Sequence, residues 1–142
     1  MSLIRAMSIN ASGLKAQRMR MEISSSNLAN INSTRTADGM PFRRMVPVFK
    51  ATSVDNEPFA DVLQNELKGV EVMQVRPDLR DPVLIYDPGH PDADTDGYVA
   101  MPNINLMEEM ITLIGASRSY EAGLMAIDAA KGMAMKALEL GS

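Results

Sequence analysis

The sequence contains no cysteine. That excludes disulfides, thiolate metal sites, iron–sulfur clusters and cysteine nucleophiles. Tryptophan is also missing, and His90 is the single histidine. A histidine-based zinc site or a Ser-His-Asp triad therefore has almost nothing to draw on. Aromatic residues are only 4%, so the core must be filled by Leu, Ile, Val, Ala and the 13 methionines. Methionine packs adaptably and suits surfaces that fit several neighbours. No apolar run approaches the ~18 residues of a membrane span. The first ten residues lack a basic segment followed by an apolar stretch, so no secretory signal peptide is expected. The chain is expected to stay in the cytosol or to leave by a route that reads no such signal. Neither a GxGxxG motif nor a P-loop occurs. Ser24, Ser25 and Ser26 have no base beside them and no oxyanion frame. No cofactor is implied, and the sequence does not read as an enzyme.

What is present is ordinary for a folded protein. The 142 residues are 46% apolar and 23% charged, which fits one domain with extensions. The net charge of −4 hides a gradient. Residues 1–50 hold eight basic and two acidic side chains, a net of +6. Residues 51–102 hold three and eleven, a net of −8, and residues 103–142 hold three and five, a net of −2. The basic residues form no dense stripe interleaved with aromatics, which argues against nucleic-acid binding. Opposite charge in successive segments favours head-to-tail contacts between copies or relatives. The plainer reading is a set of solvated surfaces.

Proline marks the organisation. All eight prolines lie between Pro41 and Pro102. Proline breaks helix interiors, so both ends are free to be long helices and the middle is not. The expected fold is mainly α within an α+β class, with paired N- and C-terminal helices as a coiled coil. Three segments follow: a helical segment 1–34, a small β-rich or irregular middle domain 35–102, and a helical segment 103–142.

In the first segment Met7, Leu14, Met21 and Leu28 recur at one heptad position. The alternate line, Ile4, Ala11, Arg18 and Ser25, weakens toward its end, and Ile9, Ala16 and Ile23 lie on another face. Ser2 is a candidate N-cap. In the last segment Leu106, Met110, Leu113, Ser117, Tyr120, Leu124, Ile127, Lys131, Ala134 and Leu138 alternate by four and three. Asn105 with Glu108 resembles a capping box, and Gly141 is a plausible stop. Met107, Ile111, Ile114 and Met125 widen the apolar surface beyond what one partner helix covers. Gly115, Gly123 and Gly132, with several alanines, make a small-residue surface for close helix approach. Both helices are expected to be marginal in an isolated monomer and to form fully on assembly. The middle predicts strands at Met45–Lys50, Val70–Arg76, Val83–Tyr86 and Tyr98–Met101. Phe59, Val62, Leu63 and Leu67 form a possible helical stripe.

Asp92, Asp94, Asp96 and Gly97 match the opening of a calcium loop. Asn103 then stands where a bidentate Glu should close the site, and Pro102 breaks the exit helix. The segment reads as an acidic turn. His90, between Gly89 and Pro91, reads as a loop histidine rather than a ligand or base. Arg43 and Arg44 read as a salt-bridging or surface pair before a phosphate grip.

Beyond these physical readings, the residues resemble a known family. Ser12 to Arg18, followed by Ser26, Asn27, Leu28, Ala29, Asn30, Ile31, Asn32 and Ser33, resemble the N-terminal signature of bacterial flagellar axial proteins, the rod and hook group. The stretch Thr34 to Arg44, with Asp38, Gly39 and Pro41, narrows the resemblance to the proximal rod. Tyr86, Asp87, Pro88, Gly89, His90, Pro91 and Asp92, then Gly97, Tyr98, Pro102, Asn103 and Asn105, are its more specific motif. The match continues through Glu108 and Glu109 and from Ala116 to Ala122. Gly123 departs from the family pattern, which more often has Asn there. The resemblance implies a structural subunit of the flagellar basal-body rod in the periplasm, exported by the flagellar type III apparatus. Its implied partners are other rod proteins, copies of itself and the export apparatus, with no nucleic acid, small-molecule substrate or membrane insertion. The implied assembly interface is Met7, Leu14, Met21 and Leu28 against Leu106, Met110, Leu113, Tyr120, Leu124, Ile127 and Leu138. The alternative is an adaptor that docks a partner or membrane surface through amphipathic ends.

Overall fold

A computed structural model of the chain describes residues 3–52 and 68–141. The candidate cap Ser2 and the stripe Phe59, Val62, Leu63 and Leu67 lie outside the described residues. Helix α1 spans Leu3–Ala29 and helix α2 spans Leu106–Gly141. Between them lie β1 (Met45–Thr52), β2 (Gly69–Pro77), β3 (Val83–Tyr86) and β4 (Tyr98–Met101). The architecture is mainly helical α+β, with two long helices and two small antiparallel sheets.

Proline-free sequence at both ends lets the helices run long. Asn105 caps α2: its Oδ1 accepts from the N–H groups of Met107 (2.9 Å) and Glu108 (3.3 Å). Glu108 and Glu109 then sit in the first turn, where the helix dipole favours negative charge. Helix α1 ends as Asn30 turns its Nδ2 back onto the Ser26 carbonyl (2.9 Å). That side-chain bond competes with continued helix.

Strands β1 and β2 pair from Met45↔Pro77 to Thr52↔Gly69. A bulge between Val48 and Phe49 leaves Met73 without a partner. Pro47 is tolerated because each strand of a two-stranded sheet has an open edge. Strands β3 and β4 pair from Val83↔Met101 to Tyr86↔Tyr98, where the two rings meet edge to face at 5.3 Å. The turn between them needs Gly97, which has φ +84°, and a methyl there would lie 2.9 Å from the Tyr86 ring.

The helices pack against one another antiparallel. Asn27, near the end of α1, contacts Glu109, near the start of α2. Further along, a methyl on Gly123 would lie 2.7 Å from Leu14 Cδ2. On its other side α1 carries the β1–β2 sheet. Ser12 Oγ donates to the Ile9 carbonyl (2.7 Å) and accepts from the Val70 N–H (3.0 Å). The Arg20 guanidinium stacks 4.9 Å from the centre of the Phe49 ring, a cation–π contact. Helix α1 is thus covered from two directions. Of its buried residues, Ala16 and Ile23 lie on the Ile9–Ala16–Ile23 line, and Ser24 and Asn27 lie beside it. Ile4, Ala11, Arg18 and Ser25 are exposed, and Arg18 pairs with Glu22 at 2.9 Å.

The most deeply buried line on α2 lies one residue before the Met110–Ser117–Leu124–Lys131 half of the expected stripe. Its buried positions are Glu109, Ala116 and Ala130, and Gly123 sits on the same heptad line against Leu14. Leu113, Tyr120, Ile127 and Ala134 flank that line half-buried. Side-chain size explains the shift. Ala116, Gly123 and Ala130 let α1 approach closely, whereas Met110 and Leu124 would hold the helices apart. Gly115 and Gly132 face open space, so they make no close approach here.

Candidate functional site

Three features stand out: a buried polar junction, a pair of interlocked loops, and an exposed apolar surface on α2.

The junction lies where the end of α1, the start of β1 and the start of α2 meet. Asn27 is 1% exposed. Its amide pairs with the Met45 backbone as a neighbouring strand would. Oδ1 accepts from the Met45 N–H (2.8 Å), and Nδ2 donates to the Met45 carbonyl (2.9 Å). The same Nδ2 lies 3.3 Å from Glu109 Oε2. Glu109 is also 1% exposed, and Arg44 Nε donates to its Oε1. A carboxylate so deeply buried is tolerated only with a cation and hydrogen bonds in place. Arg44 Nη1 also lies 3.6 Å from Asp78 Oδ2, and the Asp78 N–H donates to the Arg44 carbonyl (2.7 Å).

Asp78 in turn holds Arg80. Its Oδ2 accepts from Arg80 Nε (2.9 Å) and its Oδ1 from the Arg80 N–H (3.0 Å). These hydrogen bonds, then the charges of Arg80 and Arg44, hold the Asp78 carboxyl below its usual value and outweigh the opposing effect of burial. Because the folded value is depressed, the stability from this contact is complete above the unfolded value of about 4. It is lost as the pH falls through the lower folded value. Urea unfolding of the natural chain and of Asp78→Asn should therefore converge as the pH is lowered below about 4. Midpoints that differ equally at pH 7 and pH 2.5 would contradict this assignment.

The interlocked loops are the segments following α1 and following β3. In the first, the Phe42 N–H donates to the Ser33 carbonyl (3.0 Å) and the Thr36 N–H to the Met40 carbonyl (2.8 Å). Gly39 supplies the positive φ of +75° that this turn needs. In the second, Asp94 Oδ1 accepts from the N–H groups of Asp96 (2.9 Å) and Tyr98 (2.8 Å). His90 Nδ1 accepts from the Asp92 N–H (3.0 Å). The Asp92 carboxylate points out of its own loop. It accepts from Thr34 Oγ1 (2.8 Å) and lies 3.6 Å from Arg35 Nη1. Asp92 thus joins the two motifs that lie 58 residues apart in sequence. Among the described residues, no group of three or more His, Asp or Glu side chains is arranged to hold a metal ion.

The third feature is what remains uncovered. Leu106, Met107, Met110, Ile111, Ile114, Leu124, Met125, Met133 and Leu138 are all exposed on α2. Exposed apolar side chains in this number on one helix point to an interaction surface. No described helix is long and apolar enough to cross a membrane.

The residues expected at the interface divide between these roles. Met7, Leu14, Met21 and Leu28 are half-buried on α1, as are Leu113, Tyr120 and Ile127 on α2. Leu106, Met110, Leu124 and Leu138 are exposed, from 43% for Met110 and Leu124 to 75% for Leu138. Among the signature residues, Asn27 and Pro102 are buried, Asn30 and Asn105 end and begin helices, and Asn103 Nδ2 donates to the Asp81 carbonyl (3.0 Å). Ala29, Asn32, Asp38, Tyr86, Asp87, Pro88, Pro91 and Tyr98 are exposed. Sequence reasoning missed the partnership of Arg44 with Glu109. They lie 65 residues apart, and neither has a local pattern that points to the other.

Known proteins show where such a chain is found. Residues 95–140 match the family model described as the C-terminal part of the flagellar basal body rod FlgEFG proteins. Residues 7–35 match the model described as flagella basal body rod protein. The flagellar basal-body rod protein FlgC of Bacillus subtilis (strain 168) is 39% identical over 152 residues, covering 99% of both chains. FlgC of Aquifex aeolicus (strain VF5) is 44% identical over 131 residues, covering 92% of this chain and 91% of its own. FlgC of Salmonella typhimurium is 36% identical over 141 residues, with 99% of each chain covered.

Proposed function

The chain belongs to the FlgC family of flagellar basal-body rod proteins, and on that premise we propose how it acts as a structural subunit of the rod. It polymerises through its terminal helices with neighbouring copies and other rod proteins, and the resulting shaft transmits motor torque. It reaches the periplasm through the flagellar type III apparatus and catalyses nothing. Segments 1–34 and 103–142 form the polymerising part, and segment 35–102 forms the insert carried outside it.

The observation that supports this best is the apolar surface left on α2 after α1 has packed. Leu106, Met110 and Leu124 remain exposed with Met107, Ile111, Ile114 and Met125 beside them. One α2 therefore has room for neighbours on more than one side. That is what a subunit in a helical array requires, because each copy touches several others.

The test is a charge placed on this surface. Leu124→Asp should leave the helical content and unfolding midpoint of the purified chain close to those of the natural one, since Leu124 is 43% exposed. In cells it should abolish swimming and remove the chain from purified hook–basal bodies, because assembly would bury an unpaired charge. Normal swimming would falsify the assembly role of this surface. Leu113→Asp is the less selective variant: Leu113 is half-buried against α1, so folding and assembly should fail together.

A further inference from the structure

The helix seam repeats itself every seven residues. On α2 the positions that meet α1 are Ala116, Gly123 and Ala130, all small. On α1 Leu14 meets Gly123, and the heptad line through it, Met7–Leu14–Met21–Leu28, is apolar and half-buried throughout. Sliding α2 by one heptad sets Ala116 or Ala130 opposite Leu14 in place of Gly123. Almost every apolar contact then finds an equivalent. The notch at Gly123 resists only weakly, because the atom it accommodates is the flexible end of Leu14.

The chain connection does not prevent such a slide. A heptad of helix is about 10.5 Å long. Residues 102–105 join β4 to α2, and four residues reach up to about 14 Å when extended. They are not extended here, because the Ile104 N–H bonds back to the Pro102 carbonyl (2.9 Å). Opening that turn, and releasing Asn103 from the Asp81 carbonyl, would lengthen the linker.

One feature of the seam has no equivalent a heptad away. Glu109 is buried beside Asn27 and Arg44. Moved by seven residues, Glu109 would leave both partners, and an apolar or small residue would face the Asn27 amide and the Arg44 guanidinium. A single buried polar position is known to select register in coiled coils at a cost in stability.

We infer that Asn27, Arg44 and Glu109 are the residues that specify the register of the terminal helix pair. They position the other contacts of the helix pair, and their bonds lie within the chain: Asn27 and Arg44 to Glu109, and Arg44 to Asp78. Arg44 stands at the entry to β1, so the same triad ties the helix register to the folded insert. Register matters for the rod because subunits of unequal length along the axis cannot share one lattice. That consequence rests on the proposed function, whereas the register itself does not.

The absence of cysteine makes the test direct. Leu14→Cys is combined with Gly123→Cys, which report the observed register, or with Ala116→Cys or Ala130→Cys, which report a slide of one heptad. Off-register sites lie too far from Leu14 to bridge unless the helix moves. Each pair is oxidised in the purified full-length chain, in the natural background and in Asn27→Leu/Arg44→Met/Glu109→Leu. In the natural background only the 14/123 pair should close. In the apolar background a slid pair should close to an extent comparable with 14/123, while helical content is retained. Exclusive closure of 14/123 in the apolar background overturns the inference. Should that background fail to fold, Glu109→Gln replaces it and keeps the side-chain shape without the charge. There a slid pair should close at least several-fold above its natural level, and no increase overturns the inference. None of these readings depends on rod assembly, so a result against the triad leaves the rod assignment standing, and a failure to swim leaves the triad standing.

Discussion

Glu109→Ala should destabilise the chain by about 3–5 kcal/mol, the usual consequence of removing one partner from a buried ion pair. The total stability of a domain this size is of order 5–15 kcal/mol, so the variant should be close to unfolding at growth temperature. The melting temperature should drop by roughly 12–20 °C. The cause is what remains behind. Glu109 is 1% exposed, and it accepts from Arg44 Nε and from Asn27 Nδ2. Its loss leaves a guanidinium that is 20% exposed with Asp78 at 3.6 Å as its remaining acidic neighbour. It also leaves a cavity of several methylenes.

A double-mutant cycle separates these contributions. In an Arg44→Met background there is no charge to strand, so Glu109→Ala should cost about 1–3 kcal/mol less than in the natural chain. Additive costs would mean that the two side chains are not coupled, and that the loss reflects packing alone. Asp78→Asn should raise the Glu109→Ala cost, since Asp78 is the acidic neighbour left to the Arg44 guanidinium. Urea unfolding of the purified chains measures all of these.

Much of the framework was legible from residue order. The strand cores were expected at Met45–Lys50, Val70–Arg76, Val83–Tyr86 and Tyr98–Met101, and the structure extends the first to Thr52 and widens the second to Gly69–Pro77. They are β-branched and aromatic runs set between Pro, Gly and Asp, which leave the backbone few alternatives. Asn105 was legible as a cap because its chemistry is local. Of the expected stripe on α2, Leu113, Tyr120 and Ile127 are half-buried, whereas Met110 and Leu124 are exposed and their neighbours Glu109 and Gly123 face α1. Periodicity ranks positions by hydrophobicity, and the seam is chosen by size. Leu124 is more apolar than Gly123, yet Gly123 is the one that touches Leu14. The burial of α1 on two sides also weakens its one-stripe pattern, so Ile9, Ala16 and Ile23 looked secondary. The polar junction was hidden for a different reason. Glu109 sits where any helix favours an acid, so its sequence position has a sufficient local explanation. Only the folding of β1 against both helices brings Arg44 to it. Asn27 and Asp92 stood out as signature residues. Their roles, as a strand mimic for Met45 and as a tie to Thr34, exist only in three dimensions.

Gly123→Leu should cost about 2–4 kcal/mol, because overpacking adds to the loss of seam contacts. A Cβ alone would stand 2.7 Å from Leu14 Cδ2 and 3.3 Å from its Cγ. For Gly123→Ala the outcome is a near balance. Alanine favours helix over glycine by about 1 kcal/mol, and the end of Leu14 can rotate away at a similar cost. Leucine has no such escape, since its three further carbons enter the space that Leu14 occupies. The helices must then separate and give up part of the contact at Ala116 and Ala130. Gly123→Leu combined with Leu14→Ala should recover at least half of the loss, since the knob and the hole change sides while the seam volume is kept. Gly132→Leu is the control. Nothing lies within 4 Å of a Cβ at Gly132, so leucine there should stabilise the isolated chain by a few tenths of a kcal/mol or more through helix propensity. Thermal melts of these variants distinguish a size-selected seam from a merely apolar one. If Gly123→Leu melts at or above the natural temperature, close approach at Gly123 does not hold the pair together, and the larger line through Leu124 must take its place.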